Sequence, residues 1–169
     1  SIVDSFGNDL ATDVDRYDVS TDPRKVGDFR RDGEVITVPA AMAEIALITD
    51  ANPDELLYAV NRDREAHFTF LVKSVSSEDR QALRDLRNPW LQMDLVRERT
   101  YPFGAVTANL TGMLGTDEPL AGVERKYDPC LRAINGTATY QKGADGIRLP
   151  GTTQLVEQPI HGGDVRLTI

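Results

Sequence analysis

The chain has 169 residues, of which 40% are hydrophobic and 27% are charged, and its formal net charge is -8. This composition is ordinary for one globular domain or a two-lobed one. It excludes the class of disordered proteins, whose hydrophobicity is lower. The charge argues against a nucleic-acid binder, because 19 Lys and Arg are outnumbered by 27 Asp and Glu and phosphates require a basic patch.

The single cysteine and the chain ends bear on cellular location. Cys130 cannot form an internal disulfide, so the sequence does not indicate whether the protein lies in an oxidising or a reducing compartment. We expect Cys130 to be a half-buried small side chain. No stretch approaches the roughly 18 apolar residues of a membrane span, and no apolar block follows a basic start. Because both ends fall within strand-like sequence, we expect flanking segments in the natural protein.

The first residues predict a β-hairpin. Residues 2–4 and 10–19 alternate between apolar and polar side chains and are separated by a glycine-containing turn at 5–8. Pro23 ends the second strand, since it biases Asp22 to extended geometry and lacks a donor for the ladder.

Two helices are predicted next, over about 38–48 and from Pro53 to about Val60. The first has apolar residues spaced by three and four behind Thr37, which can cap the free N–H groups. The second begins with Asn52 as a cap, a proline at the first helical position and two acids at the positive end of the helix dipole.

The middle of the chain predicts strand, helix and strand in succession. Residues 67–75 are rich in aromatic and branched side chains, Ser76 can cap a helix, and 90–99 alternate again. In that last strand one face is predicted to carry Leu91, Met93 and Leu95, and the other Gln92, Asp94 and Val96.

Short elements are predicted in the remainder. Helices are expected over 105–113 and 123–134, and a hairpin over 137–141 and 147–150 with its tip at 142–146. Further strands are expected over 153–157 and 165–169. The sequence therefore predicts an α+β fold of hairpins, mixed or antiparallel strands and several short helices, in one lobe or two.

The sequence lacks the serine of an acyl-transfer site that is followed by a lysine one helical turn later. The residues three positions after the six serines are Asp, Asn, Pro, Ser, Asp and Arg. Lys142, followed by Gly143 and Ala144, fits a hairpin tip better than a catalytic element. We therefore predict no catalytic residue in this chain.

No metal or cofactor motif is found either. The ligands that zinc prefers are far apart in the sequence, at His67, Cys130 and His161. The carboxylates of Asp13, Asp15 and Asp18 could in principle bind one calcium ion. Because the glycine and the glutamate of a calcium-binding loop are missing, we expect these residues to form a solvated strand face instead. We expect neither a metal nor a cofactor.

Several motifs, in order along the chain, resemble those of class B penicillin-binding proteins. Residues 2–11 resemble their opening motif R-G-x-I-x-D-R-N-G-x-x-L-A, whose R-G would precede Ser1, and 163–169 resemble their G-x-D-V-x-L-T-I strand. The motif positions are Asp4, Gly7, Arg99, Tyr101, Pro102, Gly112, Gly122, Glu124, Tyr127 and Gly136. The resemblance covers the whole chain, although Ser5 and Phe6 replace the usual R-N or R-D.

The resemblance implies a non-catalytic dimerisation or pedestal domain over residues 1–169. In such proteins this region lies between a single membrane-spanning helix and the transpeptidase domain, on the extracytoplasmic face of the bacterial cell membrane. The implied partners are the protein's own transpeptidase domain, a polytopic glycan polymerase and other division or elongation proteins. Nucleic acid is not implied, and the membrane would be reached only through the anchor helix.

The resemblance also implies structural roles for motif residues. Glu124 would bind the arginine of the opening motif and so hold this region against it. Gly7, Gly112 and Gly136 would serve positive backbone angles or close packing, the alternative being ordinary turn glycines. Tyr101 and Pro102 would end a strand.

Two other functions stay open from the sequence. One is a free-standing extracytoplasmic binding or adhesion module, in which the hairpins present a ligand surface. The other is a small hydrolase that uses a carboxylate pair, since 27 acids will produce spatial pairs in any fold.

Overall fold

A computed structural model describes residues 1–115, 118–141, 143 and 151–169. The chain forms two compact units: unit 1 comprises Ser1–Asp13 and Arg99–Ile169, and unit 2 comprises Val14–Glu98. Both strands and short helices are present, so the predicted α+β class is confirmed. Within the described ranges, no helix is long and apolar enough to cross a membrane.

The described strands are β1 (Ile2–Val3), β2 (Asp9–Thr21), β3 (Phe29–Arg31), β4 (Glu34–Ile36), β5 (Thr69–Val75), β6 (Gln92–Thr100), β7 (Thr137–Thr139), β8 (Gln154–Glu157) and β9 (Val165–Arg166). The described α-helices are α1 (Val38–Thr49), α2 (Pro53–Asn61), α3 (Ser77–Asp85), α4 (Ala105–Thr111), α5 (Gly122–Lys126) and α6 (Asp128–Leu131). A short 3-10 helix follows β2 at Pro23–Lys25.

The main sheet has the strand order β5-β2-β1-β9, and β6 also pairs with β2. The antiparallel pairing of β1 with the start of β2 confirms the predicted hairpin. β9 pairs with β1 in parallel, with Ile2 opposite Val165 and Val3 opposite Arg166. This pairing joins the first and last described strands of the chain.

Unit 2 has its own hydrophobic core. Fully buried side chains from α1 and the end of β2 meet there, among them Met42, Ile45 and Val19. Trp90 is 4% exposed, packs edge-on against Phe29 and lies within this core. Each large apolar side chain buried in this way contributes about 1.5–3 kcal/mol.

The predicted caps of the three helices in unit 2 are confirmed. The Thr37 hydroxyl accepts the N–H of Ala40, the Asn52 side chain accepts that of Asp54, and Ser76 caps α3 in the same way. These bonds satisfy N–H groups that the first turn of a helix leaves free. Such caps are local, which explains why the sequence predicts them well.

A hairpin of unit 2 was missed by the sequence analysis. β3 and β4 pair antiparallel around Asp32 and Gly33, which have φ angles of 52° and 91°. Positive φ at two successive residues is typical of a tight two-residue hairpin turn, for which Asp-Gly is a strong signal. The signal was therefore present in the sequence.

Burial along β6 does not follow the two predicted faces beyond Met93. Leu95 is 53% exposed, whereas Val96 is half-buried. The alternation of exposure breaks between Asp94 and Leu95, which are both exposed.

Two predictions for unit 1 also need correction. The expected helix over 123–134 is divided into α5 and α6 at Tyr127, and Pro129 occupies the first turn of α6. Proline fits a helix start but breaks a helix interior. β7 pairs with β8, and the predicted return strand 147–150 lies outside the described residues, as does most of the predicted tip.

We expect unit 2 to lose stability in acid through Asp22. The Asp22 side chain is 8% exposed, and its carboxylate accepts bonds from the Arg24 side chain at 2.7 and 3.0 Å. Those bonds lower the pKa of Asp22 from 3.8 to about 2. Because the folded pKa is depressed, the stabilisation is complete above pH 3.8 and is lost as the pH falls toward 2.

The measurement is the melting temperature as a function of pH, followed by fluorescence of Trp90, the single tryptophan. Asp22→Asn should lower the melting temperature at neutral pH and flatten its decline between pH 4 and 2. Arg24→Gln, which removes the largest cause of the lowered pKa, should change the melting temperature in the same direction. Profiles that stay parallel to that of the unsubstituted chain would contradict this account.

Candidate functional site

The family-motif residues lie in unit 1, and the first of them builds a turn. Asp4 Oδ1 accepts the backbone N–H groups of Phe6 and Asn8, each at 2.8 Å, and Oδ2 accepts the Asn8 side-chain amide at 2.7 Å. The bonds from Asn8 are the main reason that the pKa of Asp4 is lowered. Gly7 has φ 92° with open space around an added Cβ, so it serves the backbone angle and not packing.

A buried ion pair lies at the centre of unit 1. Arg99 Nε donates to Glu124 Oε1 at 2.9 Å, and Arg99 Nη1 donates to Asp13 Oδ1 at 3.0 Å. The side chains of Arg99 and Glu124 are 10% and 3% exposed. Burial lowers the pKa of Arg99, but the bonds and charges of the two carboxylates outweigh it, so the pKa is raised. The guanidinium therefore stays charged.

Tyr101 connects this pair to the next segment. Its hydroxyl accepts the backbone N–H of Leu114 at 2.8 Å and lies 3.4 Å from Glu124 Oε1. Burial raises the pKa of Tyr101. β6 ends at Thr100, so the predicted end of the strand is observed, but Tyr101 also makes contacts that the sequence analysis did not anticipate. Pro102 is exposed.

A cavity of about 390 Å³ lies beside the ion pair. Its lining combines acidic, basic and apolar groups, from Asp13, Arg99, Glu124, Asp128, Arg132 and Leu131 among others. Arg99 Nη2 is buried there without a hydrogen-bond partner among the described residues. The carboxylates nearest the guanidinium are engaged in holding Arg99, so we assign the cluster a structural role.

Two motif glycines allow a close contact between backbones. A Cβ on Gly112 would lie 1.9 Å from the Ala121 carbonyl oxygen, and one on Gly122 would lie 2.5 Å from the Gly112 nitrogen. Their φ angles are 75° and 68°. Both close packing and a positive backbone angle therefore require glycine at these positions, and α4 and α5 are held together as a result.

The remaining motif residues have simpler roles. A Cβ on Gly136 would lie 2.5 Å from the Glu157 carbonyl oxygen, so this glycine allows close packing. Tyr127 is 40% exposed, and its carbonyl accepts the N–H groups of Cys130 and Leu131 at the start of α6. Sequence reasoning missed Gly162, where a Cβ would lie 1.9 Å from the Leu131 carbonyl oxygen.

Candidate ligand positions are not brought together in the described residues. No group of three or more His, Cys, Asp or Glu that could hold a metal is found in that part of the chain. Cys130 is exposed, which contradicts the half-buried position expected for it. His67 is also exposed and lies 3.3 Å from Arg24, in unit 2.

The family profile described as Penicillin-binding Protein dimerisation domain matches residues 1–119. The chain belongs to this family. The resemblance drawn from the ordered motifs is thereby confirmed. The match covers unit 2 and part of unit 1.

Curated relatives of this dimerisation domain include longer proteins. Penicillin-binding protein PbpB of Mycolicibacterium smegmatis is 29% identical over 75% of this chain, which spans 19% of that protein. Stage V sporulation protein D of Bacillus subtilis is 23% identical over 99% of this chain, which spans 25% of that protein. A probable peptidoglycan D,D-transpeptidase FtsI of Caulobacter vibrioides is 26% identical over 80% of this chain.

Solved structures share the fold of the dimerisation domain. Penicillin-binding protein 2X from Streptococcus thermophilus matches 96% of this chain with a TM-score of 0.66 and 20% identity. The Helicobacter pylori complex between PBP2 and MreC matches 99% with a TM-score of 0.59 and 14% identity. This chain spans 27% and 34% of those two chains.

Proposed function

We propose that this dimerisation domain is the non-catalytic pedestal of a peptidoglycan D,D-transpeptidase. It makes no bond itself and positions a catalytic domain encoded further along the same protein. The family match and the D,D-transpeptidase names of several relatives support this role. The missing Ser-x-x-Lys arrangement in the sequence supports the non-catalytic part.

The parallel pairing of β1 with β9 is the structural observation that carries the proposal. Ser1 O accepts the Val165 N–H at 3.0 Å, and Val3 O accepts the Leu167 N–H at 2.8 Å. Because the two strands run in the same direction, chain that precedes β1 and chain that follows β9 leave from opposite ends of the pair. Main-chain bonds thus set the separation of an anchor and a catalytic domain, whereas a flexible linker would let it fluctuate.

We place the parent protein on the extracytoplasmic face of the bacterial cell membrane, anchored by one transmembrane helix. Its partners would be its own transpeptidase domain, a glycan polymerase and other division or elongation proteins. The similarity to PBP2, whose solved complex contains MreC, supports a partner from these machineries. The formal net charge of -8 suits protein partners better than nucleic acid.

Three proteins are compared in two measurements. The first is labelling by fluorescent penicillin, and the second is the restoration of growth in cells that lack the parent protein. The three proteins are this chain alone, the full gene product, and the full product with residues 1–169 replaced by a Gly/Ser linker. We expect no labelling of the chain alone and labelling of both longer proteins. Only the unaltered full product should restore growth.

Each arm has an outcome that contradicts the proposal. Acylation of the chain alone would show a nucleophile within it. Growth rescue by the linker version would show that a fixed spacer is not needed. An unlabelled full product would remove the transpeptidase assignment of the parent.

A further inference from the structure

Asn135 and Gly136 form an exposed Asn-Gly pair just before β7. The Asn135 side chain is exposed, and none of the side-chain hydrogen bonds found in the described part of the chain involves it. Among the same residues, the Gly136 N–H makes no backbone hydrogen bond. A side-chain amide and the next backbone nitrogen, neither of them held by a bond, can react with each other. Glycine favours this reaction, because it has no Cβ to hinder the approach.

The other five asparagines of the chain are constrained. Two of them accept a backbone N–H and precede a proline, whose nitrogen carries no hydrogen to lose, and two lie in helices α2 and α4. The fifth donates its side-chain amide to Asp4 Oδ2 at 2.7 Å. In that order they are Asn52, Asn88, Asn61, Asn109 and Asn8. The reaction therefore meets the least hindrance at Asn135.

We propose that Asn135 is a site of spontaneous deamidation, which converts it to aspartate and isoaspartate. The Gly136 nitrogen attacks Asn135 Cγ and forms a C–N bond, and the side-chain nitrogen leaves as ammonia with the Gly136 proton. Water then opens the cyclic imide. Cleavage of its bond to Cγ gives aspartate, and cleavage of its bond to the main-chain carbonyl gives isoaspartate, with nothing oxidised or reduced. This modification goes beyond the proposed function and does not depend on it.

Isoaspartate lengthens the main chain by one methylene at a point where the chain is held on both sides. Before that point, Ile134 and Ile160 exchange backbone bonds at 2.8 and 2.9 Å. After it, Thr137 pairs with Glu157 in the β7–β8 ladder. The space between is tight, since even a Cβ on Gly136 would lie 2.5 Å from the Glu157 carbonyl oxygen. One of the two pairings must therefore open.

The change in charge has the smaller effect. Asn135 also lines the cavity beside the ion pair, and both products place a carboxylate there, in a lining that already holds more acids than bases. Because residue 135 is exposed, water screens the new charge and little stability is lost through it. The added methylene is the change that alters the fold.

Incubation of the purified chain at mildly alkaline pH and physiological temperature tests the site. Peptide mapping by mass spectrometry measures the loss of the amide, and enzymatic methylation of isoaspartate identifies the isomer. We expect conversion at residue 135 and at no other asparagine. A synthetic peptide of residues 131–139 serves as the positive control. Asn135 left intact in the folded chain when the peptide has reacted, or earlier conversion of another asparagine, would overturn the proposal.

Two variants and a second measurement separate the methylene from the charge. Asn135→Ser removes the site and should accept no methyl group at that position. Asn135→Asp adds the charge without lengthening the main chain. Hydrogen exchange at residues 134–139 and 154–160 should be faster in the aged chain that contains isoaspartate than in freshly prepared Asn135→Asp. Equal exchange in these two proteins would refute the opening of a pairing.

Discussion

Replacing Gly112 with alanine is expected to destabilise unit 1 by about 3 kcal/mol or more. The new Cβ would lie 1.9 Å from the Ala121 carbonyl oxygen and 2.9 Å from the Gly122 nitrogen, and both contacts are with backbone. A rigid backbone cannot move aside as a flexible side chain can, so overpacking of about 1–3 kcal/mol is added to the strain of φ 75°. The contact between α4 and α5 should open.

Hydrogen exchange read by mass spectrometry measures this effect. In Gly112→Ala, the amides of α4 and α5 should exchange faster, while those of unit 2 should not change. Gly7→Ala is the matched control, because Gly7 has φ 92° but no atom within 4 Å of an added Cβ. It reports the cost of the backbone angle alone, about 1–2 kcal/mol. Equal effects of the two substitutions would refute the packing argument.

Replacing Glu124 with alanine is expected to cost about 3–5 kcal/mol, since the buried Arg99 charge loses the buried one of its two carboxylate partners and keeps only the exposed Asp13. Arg99 is 10% exposed and Glu124 is 3% exposed, so water cannot easily replace the lost carboxylate. The Tyr101 hydroxyl also loses its contact with Oε1. Thermal unfolding followed by calorimetry should show a clear fall in the melting temperature.

Two variants control for the Glu124 experiment. Asp13→Ala removes the other carboxylate that contacts Arg99, but Asp13 is 54% exposed, so the expected cost is at most about 1 kcal/mol. Glu124→Gln keeps the shape and removes the charge. If Glu124→Ala costs no more than Asp13→Ala, the pair is not a structural centre of unit 1.

Local features of this fold could be predicted from the sequence. Thr37, Asn52 and Ser76 cap their helices as expected, because a cap depends on residues two or three positions away. Gly112 and Glu124 were singled out through ordered motifs that resemble a family, and the structure places both in unit 1. The family itself could be identified from those motifs.

Contacts between distant residues could not be predicted in the same way. The resemblance implied an arginine before Ser1 as the partner of Glu124, and that residue is outside the given sequence, so the prediction is not tested. The partner found within the described residues is Arg99, 25 positions before Glu124, and the sequence analysis did not predict it. The close approach of Gly162 to the Leu131 carbonyl has no local signal in the sequence. The exposure of Cys130 depends on how α6 is packed, which the residue type does not specify.

The pairing of β1 with β9 affects the order in which the chain can fold. Unit 2 is continuous in sequence and is complete once Glu98 has been synthesised, whereas unit 1 needs Ser1–Asp13 and residues as late as Val165. Closing so long a loop is slow, because its entropy is lost before the distant contacts form. During synthesis, unit 2 can therefore fold first, while the edge of β1 that pairs with β9 stays unpaired and exposed to chaperones and proteases.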